Sequence, residues 1–225
     1  GGGGGYGAGF GTSGGAAGFL GGGGGAGSSS VSRNGGGGGG AAAGGAIFQN
    51  GGTTDIINST IVNNTATGGA GGTSTNGSSI GGSGSSRGGG IYNESGTITL
   101  KNSIVAGNTA QQTSFADCDN NSATITTNGY NIFGSGTGNP TGGMEDQTVM
   151  PADVFTTVLS VLGYYGGQTP SHRPLTGSPA IDKGSAGVTV DQRNKARPVD
   201  QPSAPSASGG NGSDIGSIEV DLCIS

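Results

Sequence analysis

Apolar residues in this chain come singly or in twos and threes, with polar residues and glycine between them. Thr97-Ile98-Thr99-Leu100 alternates polar and apolar, the period-2 signature of a strand with one buried face. Ile47-Phe48 and Ile104-Val105 predict further short strands. Asn58-Ser59 and Asn64 fall between these runs, where turns are expected, because Asn tolerates left-handed backbone and its amide bonds nearby main chain. Gly44-Gly45 and Gly88-Gly89-Gly90 supply corners that residues with a Cβ resist. Residues 152–165, ADVFTTVLSVLGYY, break the rhythm, since Val154, Phe155, Val158, Leu159 and Leu162 follow a helical spacing. That segment predicts a short helical turn or an irregular strand packed on the last repeats.

The pattern repeats. Residues 44–66, GGAIFQNGGTTDIINSTIVNNTA, align without gaps with residues 88–110, GGGIYNESGTITLKNSIVAGNTA, at an offset of 44. Ile47 then matches Ile91, Phe48 matches Tyr92, Asn58 matches Asn102 and Asn64 matches Asn108. Three short strands and three turns in about two dozen residues is the size of one coil of a parallel β-helix, a fold of many small coils sharing one thin core. Stacking would set each Ile on an Ile and each Asn on an Asn, with roughly 4.8 Å between strands and amide ladders along the Asn positions. Residues 67–86 between the units are polar and read as a loop or irregular coil. The expected fold class is all-β: a parallel β-helix solenoid with a Gly-rich segment over 1–43, repeats over 44–134 and an irregular capping region over 135–225.

The motifs also resemble known families. GGAI and GGGI, followed by IVNN and VAGN, are similar to the GGA[ILV]…FxxN repeats of polymorphic outer-membrane proteins, with Ile61 and Val105 where those repeats carry Phe. TTNGYNIFG (126–134), LGYYGGQTPSHRPLTGSPAIDKG (162–184), DQRNKARP (191–198) and DIGSIE (214–219) resemble the tail of the choice-of-anchor Q type of bacterial right-handed β-helix proteins. Asn194 stands where that tail has Gly, and Ser217-Ile218 where it has Ala-Phe. The resemblance implies a right-handed, pectin-lyase-like β-helix, secreted or displayed on a cell surface, and does not imply catalysis.

Composition narrows the partners. The chain has 225 residues, of which 56 are Gly, none is Trp and 9% are charged, so a single thick globular core is not expected. Disordered chains are typically highly charged, and this one is rich in Gly, Ser, Thr and Asn instead. The net charge is −5, with no Lys/Arg cluster to neutralise phosphates, which excludes a nucleic-acid partner. No apolar run approaches the roughly 18 residues that span a bilayer. The chain begins on Gly, without Met or a signal peptide, and reads as a mature or trimmed extracellular product. Sparse charge is compatible with self-association. In an oxidising compartment, a Cys118–Cys223 disulfide would staple the middle of the chain to its end; two free buried thiols are the alternative.

Candidate chemistry is thin. Glycoside hydrolysis needs paired carboxylates, and Asp182, Asp191, Asp214 and Glu219 all lie in the tail motif. Asp182 is expected to tie a turn by accepting backbone N–H groups, and Asp191 and Asp214 to pair with Arg193 and Arg197. Asp117 and Asp119 flank Cys118 without the oxygen count that Ca²⁺ demands. His172, the one histidine, sits between prolines without a nucleophile beside it. Tyr164-Tyr165 could stack on a sugar but more simply caps the preceding helical segment. No phosphate-binding GxxxxGK[ST] is present, and no cofactor or metal is expected.

Three functions follow as expectations. The first is a structural or adhesive surface protein, not an enzyme, whose copies associate head to tail through open strand edges. Tyr6, Phe10, Phe19 and Leu20 would anchor the glycine tract on its own chain or on a neighbour. The second is binding or cleavage of a polysaccharide along the helix. The third, minor, is an ice-binding surface, which needs a Thr-x-Thr rank; Thr97-Ile98-Thr99 supplies one step and Thr53-Thr54-Asp55 breaks it.

Overall fold

The computed structural model describes residues 38–73 and 81–221. The described residues are mostly strand, and every strand pair is parallel. The ten strands are β1 (Ala42–Ala43), β2 (Ile47–Ile57), β3 (Thr60–Val62), β4 (Ser86–Arg87), β5 (Ile91–Lys101), β6 (Ile104–Ala106), β7 (Cys118–Asn120), β8 (Thr124–Thr127), β9 (Ile132–Gly134) and β10 (Gln147–Val149). They form a small sheet β1-β4, a sheet β2-β5-β7 in which β8 also pairs with β5, and a sheet β10-β9-β6-β3. The chain thus visits two sheets in turn, β2 then β3, β5 then β6, β7 and β8 then β9.

The register is the one the repeat predicts. Ile47 pairs with Ile91, Phe48 with Tyr92 and Ile56 with Leu100, each at an offset of 44. A third level follows at a shorter offset: Ile91 pairs with Cys118, Thr97 with Thr124 and Ile104 with Ile132. Its glycine corners explain how the levels close up. Gly44 and Gly88 hold φ of 68° and 58°, and a Cβ on Gly45 would lie 2.0 Å from the Gly89 carbonyl oxygen. Only glycine permits that approach.

Alternation fills two cores. Ile61, Val105 and Phe133 point inward to join Ile56, Ile91, Ile98, Leu100, Cys118 and Ile125 between the sheets. Their neighbours Val62, Ile104, Ala106 and Ile132 pack outward against Val154, Val158, Leu159, Ala180 and Ile215. The inner strands β6 and β9 are therefore buried on both faces, which is why they read as short continuous apolar runs. The segment over 152–165 supplies the outer layer: a 3-10 turn at Pro151–Asp153 runs into a wide π turn at Val154–Val158 that buries Val154 and Val158. The C-terminal region lies along the flank of this sheet. Ser217 N–H reaches Thr60 Oγ1 at 3.0 Å at one end, and Gln147 Nε2 reaches the Pro179 carbonyl at 3.0 Å at the other.

Two polar ladders run along the levels. Asn64 donates both its N–H and its Nδ2 to Asn108 Oδ1, at 2.9 and 3.0 Å. Asn108 does the same to Asp117 Oδ1, at 3.0 and 2.9 Å. In the second ladder, Ser59 N–H donates to Ser103 Oγ, Ser103 N–H to Asn131 Oδ1 and Asn131 N–H to Asp146 Oδ1. An amide both donates and accepts and so passes the ladder on; an ionised carboxylate only accepts and ends it.

Candidate functional site

The densest polar arrangement is in the C-terminal region. Four carboxylates and two guanidinium groups there hold loops that have little apolar surface of their own. Asp182, with φ of 56°, is fully buried. Its N–H donates to Asp214 Oδ1 at 2.9 Å, and its Oδ2 accepts from Gln201 N–H at 2.9 Å. Asp214 Oδ2 also accepts from Val220 N–H at 2.6 Å. Asp191 accepts N–H groups from Arg193, Lys195 and Glu219. Arg193 pairs with Asp191 at 2.7 Å. Arg197 pairs with Glu219 at 2.8 Å rather than with Asp214, and Glu219 also accepts main-chain N–H groups from Val199 and Asp214. Glu219 is the member that the motif left without a partner. Its fully apolar neighbours in sequence, Ile218 and Val220, give no sign of the pairing.

Burial sets the protonation of the cluster. Asp214 is pushed up to about 7, first by loss of water and second by the nearby Glu219 carboxylate. Burial also raises Asp182 and Glu219. Asp191 is buried too, but the Arg193 guanidinium and three N–H donors outweigh desolvation and hold it below the usual carboxylate range. Asp182, Asp214 and Glu219 are closed to solvent and tie main chain together, while Asp191 and Arg197 border an open cleft.

The other predicted residues are spread through the stack. Cys118 is a fully buried thiol in β7, raised by burial, and Cys223 lies outside the described residues. Tyr6, Phe10, Phe19 and Leu20 lie outside them as well. Phe48 and Tyr92 stack with ring centroids 5.9 Å apart and planes 6° apart. His172 Nδ1 lies 2.8 Å from the Ser160 carbonyl and its ring packs on Phe155. Tyr164 is exposed, and Tyr165 donates to the Val161 carbonyl at 2.9 Å. Asp119 holds Arg87, which also lies over the Phe115 ring. No group of metal-ligating side chains occurs among the described residues, and no helix among them is long and apolar enough to cross a membrane.

Two open clefts are lined by described residues. One, of about 560 Å³, runs between the outer edge of β7 and β8 and residues 137–142. The other, of about 540 Å³, lies at the corner between β2 and β3, where Asn58 meets the tail at Asp191, Arg197 and Ser217. A rank of threonines also emerges: Thr97 and Thr99 pair in register with Thr124 and Thr126. Comparison with known proteins finds no family model that matches the chain, no similar curated protein and no similar solved structure.

Proposed function

We propose that this chain is a right-handed parallel β-helix of the bacterial surface type, secreted or displayed on a cell, with a structural and adhesive role rather than an enzymatic one. The observation that carries the reading is the stacking of parallel strands with β2 and β3 at the ends of their sheets. A strand at a sheet edge presents a row of backbone donors and acceptors that another strand can complete. Copies joined head to tail through such edges make an open filament, since the contact is heterologous and does not close. Sparse charge, 9% of residues, is compatible with that association. Size-exclusion chromatography and negative-stain imaging of the purified chain test it: assemblies that grow with concentration are expected, and a monomer at every concentration would sink the idea.

A second reading, a water-ordering or ice-binding face, is favoured by the Thr97/Thr99 and Thr124/Thr126 rank. Asp55 still interrupts it at the level of β2. Thermal-hysteresis measurement separates this reading from the first, which expects none.

A further inference from the structure

We propose that residues 29–34, SSVSRN, add one more level to this chain's own stack, laid in parallel along the free edge of β3. These residues lie outside the described ones, and the case starts from what the described edge lacks. At the second level, Asn108 Oδ1 accepts the N–H and the Nδ2 of Asn64, at 2.9 and 3.0 Å. Ser103 Oγ donates to the Lys101 carbonyl at 2.9 Å and accepts the Ser59 N–H at 3.1 Å. The first level repeats the donating half: Ser59 Oγ donates to the Ile57 carbonyl at 2.9 Å, and Asn64 Nδ2 to the Val62 carbonyl at 3.1 Å. Its accepting half is empty. Among the described residues nothing donates to Ser59 Oγ or Asn64 Oδ1, and both residues are only partly buried, so a strand laid on the edge reaches them.

The edge calls for a definite sequence. Residues 59–64, STIVNN, and 103–108, SIVAGN, share a first Ser, a third Ile or Val and a sixth Asn. The Ser and Asn carry the two ladders, and the third residue, Ile61 or Val105, enters the core. Residues 29–34 supply the same three as Ser29, Val31 and Asn34, and the pattern occurs nowhere else in the chain. Val31 would then cover Ile61, the core residue of the end strand. Arg33 falls on the exposed corner of Asn63, where its charge stays in water.

The described chain already enters this register. The Gly69 N–H donates to the Gly40 carbonyl at 2.7 Å, and a Cβ on Gly39 would lie 1.9 Å from the Gly69 carbonyl oxygen. Residue 39 thus lies against residue 69, an offset of 30. Ser29 matches Ser59 and Asn34 matches Asn64 at the same offset. Four residues separate Asn34 from Gly39, as four separate Asn64 from Gly69, so the connection needs no slack. A tether this short favours the same chain over a second copy. Ser29 and Asn34 then present acceptors of their own. The edge passes outward and stays open to another copy, so the inference does not rest on assembly.

The test is disulfide trapping in the full chain carrying Cys223→Ser. Neighbouring parallel strands lie about 4.8 Å apart, within the roughly 4.4–6.8 Å Cα span of a disulfide. Ser29→Cys with Ser59→Cys should therefore close a bond within one chain, seen by non-reducing electrophoresis and peptide mass. Ser29→Cys with Asn63→Cys, four residues out of register, should not. Adding Val31→Asp should slow trapping about ten-fold or more, because an inward charge has no partner, whereas Ser13→Asp, outside the matched segment, should leave the rate unchanged. Without any substitution, amides of residues 30–34 should exchange at least about ten-fold more slowly than in a free peptide of that sequence. The proposal is overturned if the 29/59 pair fails to close or closes between chains, if the 29/63 pair closes as readily, if Val31→Asp has no effect, or if those amides exchange at the free-peptide rate.

Discussion

The strand stack and the C-terminal region solve the same problem with opposite materials. Over 42–149 the chain buries aliphatic side chains in register, so Ile98, Leu100, Ile104 and Val105 are closed to solvent, with ladders of polar side chains between levels. Over 178–221 there are few such side chains, and Asp182, Asp191, Asp214, Glu219 and Arg197 take the interior instead. Each carboxylate gathers main-chain N–H groups from segments remote in sequence. A repetitive region can use non-directional packing because every level offers the same face. An irregular region needs directional bonds to specify which loop meets which.

The largest effect should come from breaking the directional side. Arg197→Met leaves Glu219 buried without its counter-charge, which costs about 3–5 kcal/mol. Hydrogen exchange should show loops 189–201 and 213–221 opening while β5 and β6 stay protected; equal loss in both regions would erase the distinction. On the packing side, Ile98→Ala, at 0% exposure, should cost about 2–5 kcal/mol in urea denaturation and lower protection through the whole stack. The junction between the regions is next. Asn102→Gly removes the bonds to Asp214 and Ser185 and strands their main-chain groups, for about 1–3 kcal/mol. Asn58→Gly, which strands none among the described residues, should change stability by less than about 0.5 kcal/mol, so differential scanning calorimetry of the pair measures what the tail contributes at that corner.

The effect confined to the tail is pH dependence. Asp214 lies at about 7 in the fold, above the ordinary carboxylate range, with Glu219 and Asp182 facing it and Arg197 beyond Glu219. Its folded form holds a proton that the unfolded chain has lost. Its contribution is therefore full below about pH 4 and disappears as pH rises through 7. Asp191 runs the other way, since its folded value is lowered and its contribution goes as pH falls through that value. Stability should decline from pH 5 to 8, and Asp214→Asn should flatten that slope. A slope unchanged by the substitution would place the titration elsewhere.

Much of the stack was legible in the sequence. The Ile, Phe/Tyr and Asn matches at an offset of 44 are the pairings seen between β2 and β5 and in the Asn64–Asn108 ladder. The third level was harder to read because the connection shortens, so the offset drops to 27 at Ile91–Cys118 and Thr97–Thr124. A search for repeats at a fixed spacing passes over it. In the tail, Asp191–Arg193 is two residues apart and follows from proximity. Arg197–Glu219 spans 22 residues and depends on how two loops cross.

The sequence by itself determined the periodic part: parallel strands, their register, the glycine corners and the asparagine turns. Those properties are local and recur, so residue type at each step is enough to specify them. Only the tertiary structure decided that β6 and β9 are buried on both faces, that Arg197 meets Glu219, and that Asn102 is satisfied while Asn58 is not. Asn102 and Asp214 are 112 residues apart. Which of two identical turns receives the tail is set by where the returning chain packs on Ile104 and Ile132, a long-range contact that no repeated motif encodes.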